Sequence, residues 1–299
     1  MIGLLLLDKP AGMTSFSAVN RVKRKSKEKR VGHTGTLDPM ATGVLPVLLG
    51  RATALSSLLL EGDKRYIAEI KLGTVTDTDD ITGTVLKEAK VNITSEQLKA
   101  VLNGFLGVID QVPPAYSAIK KDGVRLYKLA REGKNTEISS RKVEIFEANL
   151  IEDLSGENIF KVEFFVSKGT YIRSLARDLG EALGCGAALY SLRRIKTSQF
   201  CIEDCVPLDD LTEDNIGQYL LSEETVVSHL RAVNITQKQA TRFCNGGQLS
   251  FERLNIPTDD FFDGELFRIK HNGVFLGVGF ADIKRQQVAV KCVIRNYEL

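Results

Sequence analysis

Between Gly32 and Thr53 the chain reads GHTGTLDPMATGVLPVLLGRAT. Gly32, Gly35, Gly43 and Gly50, with Pro39 and Pro46, crowd around a single acid, Asp38. Glycine and proline at this density dictate a tight loop of one shape. Glycine also lets backbone approach a ligand closely. Pro39 biases Asp38 toward an extended conformation. A lone carboxylate in a rigid, uncharged loop is a candidate nucleophile or general base. The competing assignment is an Asx-turn residue. His33 has no nearby Ser or Cys to activate. The GK[ST] ending of a phosphate-binding loop is absent, which argues against nucleotide hydrolysis.

Hydrophobic residues make up 43% of the 299 and charged residues 26%, as in ordinary globular proteins, which excludes disordered and fibrous classes. The length suggests two domains. The opening run MIGLLLLDKP is too short for a signal peptide or membrane span and reads as a buried strand. The five Cys form no CxxC pair and the three His lie far apart, so no zinc site is expected. Reduced, buried thiols in a cytoplasmic protein are the expectation.

The net charge of +2 would not suggest a nucleic-acid partner, but the charge is segregated. Residues 1–202 carry 30 bases and 23 acids, 203–224 eight acids and no base, and 225–299 ten bases and seven acids. RVKRKSKEKR (21–30) holds seven bases and one acid, either a solvated helix face or a phosphate-contacting edge.

Residues 15–27 and 95–107 show helical spacing behind cap signals. Residues 65–76 alternate as a strand, and 160–184 read as a strand turning at Lys168-Gly169 into a helix. The interleaving lacks regular βαβ spacing, so an α+β fold with a mixed, largely antiparallel sheet is expected. Beyond the acidic stretch, residues 235–249 read as a short helix. HNG at 271–273 marks a hairpin turn. Residues 230–299 therefore form a small mixed β domain behind a catalytic part over 1–229.

GHTGTLDPMATGVLP resembles the catalytic motif of the TruB family of tRNA pseudouridine(55) synthases. LLLDKPAGMTS, KRYIAEIKLGTVTDTDD, QVPPAYSAIKKDGVRLYKLAREG and SKGTYIRSLARDLGEALGCGAALYSLRR resemble further family motifs in the family's order, across most of 1–200. The resemblance implies the pseudouridine-synthase fold, an RNA-gripping thumb insert at about 112–143, and a PUA-like RNA-binding domain at 230–299. It makes Asp38 the catalytic aspartate, attacking ribose C1′ or base C6. It makes Tyr66 the stacking and proton-accepting tyrosine, and Arg173 the partner of the aspartate. Tyr171 and Leu192 would line the base pocket, and His33 would hold the flipped RNA. Lys9 would support the pocket and Asp80 its substrate side.

The reaction implied is isomerisation of the T-loop uridine at position 55 of tRNA, by base flipping, with no cofactor or metal. The basic run at 21–30, with Lys64, Arg65, Lys120, Lys121, Arg125, Lys128, Arg131, Arg141 and Lys142, would meet RNA phosphates. The C-terminal domain is placed to touch the acceptor stem. The compact chain ends point to a stand-alone, monomeric, cytoplasmic enzyme rather than a guided one. A non-catalytic RNA binder would not need Asp38, Tyr66 and Arg173 together. A methyltransferase would need a glycine-rich cofactor turn, and none is present.

Overall fold

The run Leu4–Leu7 forms the middle of β1 (Gly3–Lys9), with each leucine no more than 2% exposed. Successive strand side chains point to opposite faces. Leu5 and Leu7 therefore enter one core while Leu4 and Leu6 enter a second. A strand buried on both faces lies inside a sheet that is covered on both sides.

The computed structural model describes residues 1–117, 120–121, 124–125, 138–254 and 261–295. The further strands are β2 (Val31–His33), β3 (Thr42–Leu49), β4 (Lys64–Leu72), β5 (Thr74–Thr76), β6 (Val85–Glu88) and β7 (Gly107–Gln111). They continue as β8 (Lys120–Lys121), β9 (Val124–Arg125), β10 (Arg141–Leu154), β11 (Ile159–Val166), β12 (Ala187–Thr197), β13 (Phe200–Cys201) and β14 (Val206–Pro207). The central sheet runs β14-β1-β3-β12-β4-β11-β10-β7, with β2 added at β3 and β13 at β12. Its pairings are antiparallel except β1 with β14 and β3 with β12. This is the mixed, largely antiparallel sheet of an α+β fold.

One face carries α1 (Ser15–Ser26), α3 (Ser95–Gly104) and α4 (Ile172–Ala182), while the short α2 (Ser56–Leu60) packs on the other. Thr14 caps α1, and Thr94 closes a capping box on α3. The helices bury Ala18, Val19 and Val22, then Leu98 and Leu102, then Leu175 and Leu179.

A second sheet, in the order β15-β17-β18-β19-β16, joins β15 (Arg231–Asn234), β16 (Leu249–Ser250), β17 (Leu266–His271), β18 (Val274–Asp282) and β19 (Gln287–Val293). The HNG turn lies where the sequence places it, with Asn272 and Gly273 both at positive φ. This sheet encloses its own core around Phe243, Phe251 and Phe267. It also lends Phe275, Val278 and Ile294 to the core that holds Leu4, Leu6, Val44 and Leu48. Ending the chain at residue 229 is thus expected to uncover the back of the central sheet. Three such side chains stabilise by about 5 kcal/mol in total. Lower thermal stability with dye binding to exposed apolar surface is the expected result. An unchanged melting temperature would refute the shared core.

The charge reading needs two corrections. The acidic stretch does not stand apart from the basic run. Arg21 pairs with Asp209 at 2.7 Å, Lys27 pairs with Glu213 at 2.7 Å, and Lys25 Nζ donates to Leu211 O. Likewise, part of the basic character of 225–299 is used internally. Arg295 pairs with the buried Glu223 at 2.8 Å, and Arg268 and Lys270 bind Glu224 at 2.8 and 2.9 Å. Attraction over a few ångströms in partly desolvated surroundings joins what composition separates. The cysteines also differ from expectation. Only Cys185 is buried, and the other four are half-buried free thiols.

Candidate active site

Residues 34–41 have almost no regular structure, so other parts of the chain must satisfy their backbone groups. Ser15 Oγ donates to Leu37 O at 3.0 Å and accepts from Leu37 N at 2.9 Å. Gly12 N donates to Pro39 O. Lys9, fully buried, donates to Pro10 O and Met13 O at 2.8 Å and reaches Pro39 O at 3.4 Å. Burial lowers the Lys9 pKa to about 8, partly offset by the negative charge of Asp38. The loop is held from below by a buried ammonium and a buried hydroxyl.

The loop presents Asp38 to a cleft of about 320 Å³, within the range of small-molecule sites. Tyr66 of β4, Arg173 and Tyr171 at the start of α4, and Leu192 of β12 share its walls. Arg173 Nε lies 2.9 Å from Asp38 Oδ2, and its Nη2 donates to Asp38 Oδ1 at 3.2 Å. The Arg173 side chain is 7% exposed and that of Asp38 35%. The cation thus lies behind the carboxylate, which faces the opening. Arg173 also donates to Thr78 O and Tyr116 O and lies 3.6 Å from Asp80 Oδ2. Burial pushes the Asp38 carboxyl above the usual carboxylate range, and Arg173 is the largest opposing influence. Asp80 raises it further, and Lys9 opposes.

Three predicted site residues do not line the cleft. His33 lies one contact behind it, Nε2 3.3 Å from Thr36 Oγ1. Burial, then the cationic Arg194, lower its pKa, which favours the neutral ring. Lys9 lies under the loop. Asp80 is 5% exposed and accepts from Thr82 N, Thr82 Oγ1 and Thr78 Oγ1 through one oxygen, its other facing Arg173.

Two expected phosphate contacts are also occupied elsewhere. Lys64 is 7% exposed and lines the cleft wall, its ammonium bound to Leu60 O and Gly62 O. Its pKa falls to about 8, through burial first and Arg194 second. Arg65 is clamped by Glu147 and Glu163 over the Phe165 ring. Arg141 lies 5.6 Å above the Tyr171 ring, and Lys142 is exposed. The backbone of Lys120, Lys121 and Arg125 forms a small ribbon, while Lys128, Arg131 and half of the expected thumb lie outside the described residues.

Sequence reasoning passed over Gln111 and Arg194. Gln111, fully buried, accepts from Tyr171 N and donates to Tyr171 O, fixing the entry to α4. Arg194, 1% exposed, lines the cleft and donates to Gly35 O and Val44 O. A buried guanidinium in an exposed-looking RR pair leaves no compositional signal. Among the described residues, no cluster of three or more His, Cys, Asp or Glu could hold a metal ion. No helix among them is long and apolar enough to cross a membrane.

Comparison with known proteins places this geometry in a family. Residues 23–172 match the model for the TruB family pseudouridylate synthase N-terminal domain. Residues 173–233 match the tRNA pseudouridylate synthase B C-terminal domain. The tRNA pseudouridine synthase B of Clostridium perfringens is 42% identical over 286 residues, covering 95% of this chain and 96% of the relative. Those of Clostridium acetobutylicum and Chromohalobacter salexigens are each 41% identical, covering 93% and 92% of this chain and 95% and 89% of the relatives. A solved Cbf5–Nop10–Gar1 complex contains a chain that superposes with a TM-score of 0.74 at 27% identity. The match covers 98% of this chain and 85% of that one. The chain belongs to the TruB family of tRNA pseudouridine synthases, isomerases that convert uridine in tRNA to pseudouridine.

Proposed function

We propose that the cleft isomerises the uridine at position 55, in the T-loop of tRNA. The observation that carries this reading is the Asp38–Arg173 pair, held in one cleft with Tyr66. The target base is flipped out of the loop at a cost of a few kcal/mol, offset by phosphate contacts. Asp38 attacks ribose C1′ or base C6. The C1′–N1 bond breaks, the uracil turns, C1′ bonds to C5, and the bond to Asp38 breaks to return the free carboxylate. The C5 proton leaves, with Tyr66 as the favoured acceptor, and N1 takes a proton. Atoms and charge balance without a cofactor.

Tyr66 and Tyr171 offer ring faces to the base and Leu192 an apolar wall. His33, beside Thr36 of the cleft wall, helps hold the flipped-out RNA by stacking. Lys9 and Asp80 act through their neighbours: Lys9 holds the loop, and Asp80 orients Arg173. Among the expected phosphate contacts whose side chains are described, Lys23, Arg24, Lys29, Arg30 and Lys142 are exposed and free to meet phosphates. The second sheet serves as the PUA-like module toward the acceptor stem. The reading describes a cytoplasmic enzyme acting as a monomer, with a thumb at about 112–143 and domains meeting near 229.

Carbodiimide or mass-spectrometric mapping of unmodified tRNA incubated with the protein alone tests this directly. One pseudouridine in the T-loop is expected. Modification only at another position, or none, would overturn the reading.

A further inference from the structure

The backbone of Arg194 sits between the two strands that carry the chemistry. On one side it pairs with Tyr66 of β4, and on the other with Gly43 of β3, where the catalytic loop ends. Its side chain turns back under that loop. Nη2 donates to Gly35 O and Nε to Val44 O, both at 2.8 Å. One residue thus grips the loop three positions before Asp38 and six positions after it, while hydrogen-bonded in register to the strand of Tyr66.

Two glycines are explained by the same side chain and backbone. Gly43 has φ +102, and a Cβ there would lie 2.1 Å from Arg194 O. Gly35 has φ +67, and its Cβ would lie 3.1 Å from Arg194 Nη1. Both tolerate a positive φ that costs other residues energy. Both leave room for Arg194. A planar guanidinium with a fixed fork can bridge two carbonyls at once, and an ammonium cannot reproduce that geometry.

We propose that Arg194 is a positioning residue that sets the distance and angle between the Asp38 carboxylate and the Tyr66 ring, and so acts on the chemical step rather than on tRNA binding. Small misplacements of reacting groups cost large factors in rate. The inference rests on the reading of Asp38 and Tyr66 as the reacting pair.

The test is single-turnover pseudouridine formation in tRNA, enzyme in excess, with R194K and R194M. Thermal unfolding and tRNA affinity are measured alongside. The rate constant is expected to fall by about 10-fold for R194K and on the order of 100-fold for R194M. The reaction should still run to full amplitude, and tRNA affinity should stay within about threefold of the parent. A structural role alone would lower thermal stability and leave unchanged the rate constant measured with folded enzyme in saturating excess over tRNA. That result, or weaker binding with an unchanged rate constant, overturns the proposal. If R194M fails to fold, R194K decides alone, because it keeps the charge and the burial. Loss of activity in the unaltered protein would instead defeat the reading of the cleft.

Discussion

Asp38→Asn is expected to abolish pseudouridine formation while the protein folds and binds tRNA as before. The substitution is nearly isosteric and keeps one oxygen to accept from Arg173 Nη2, which donates to Asp38 Oδ1 at 3.2 Å. It removes the charge and, on the proposed mechanism, the nucleophile together. Removing a covalent nucleophile costs on the order of 10⁴-fold or more in rate. Binding should change by less than about threefold, under 1 kcal/mol. Mass spectrometry of a T-stem-loop RNA after single-turnover incubation reads the first quantity, and filter binding the second. Turnover by carefully purified variant protein would sink the assignment of Asp38. Loss of binding in step with activity would make Asp38 a docking residue.

Arg173→Met should slow the reaction by about 10²- to 10³-fold at neutral pH and move its acid limb to higher pH. Burial already raises the Asp38 carboxyl, and Arg173 is the main influence holding it down. Without that cation, Asp38 and the nearby Asp80 share the region with Lys9 as the remaining counter-charge. A step that needs the carboxylate is slow below its pKa and speeds up as pH rises through it. The deficit should therefore be greatest in acid and shrink as pH climbs.

Stability changes in the opposite sense. A carboxyl with a raised folded-state pKa binds more protons folded than unfolded. Its contribution to stability falls as pH rises from the ordinary Asp range through the raised value, more so in the variant. Leaving a buried partner unpaired costs about 3–5 kcal/mol, with the lower end applying because Asp38 is about a third exposed. The factor in rate converts to a similar figure, roughly 3–4 kcal/mol. A pH–rate profile with its acid limb unmoved would show that Arg173 does not govern the Asp38 carboxylate.

The fold class was legible because two periods are written plainly along the chain. Leu4–Leu7 reads as a buried strand, 95–107 as a capped amphipathic helix (observed over Ser95–Gly104), and HNG as a hairpin turn, and each is local. Asp38, Tyr66, the Tyr171–Arg173 pair and Leu192 come from four separate segments yet line one cleft. Their motifs pointed to them, but no spacing between them does. Charge was the least legible property. Composition counts Lys64, Arg65, Arg268, Lys270 and Arg295 as available cations, but Lys64 is occupied by nearby carbonyls and the others by carboxylates from other segments. Gln111 and Arg194 went unread because a buried polar side chain differs from an exposed one only by its partners.

By itself, the sequence determined the elements, the two-part division and the rigid loop around one acid. These follow from periodicity, turn chemistry and glycine and proline content, all of which act over a few residues. The tertiary structure alone decided which cations were free, that Lys9 and Asp80 lie behind the cleft residues, and that Arg194 lines the cleft. It also decided that the second sheet shares a core with the first. Those outcomes depend on burial and on contacts between segments that lie from a few tens to more than a hundred residues apart, where desolvation and pairing set the energy of a charge.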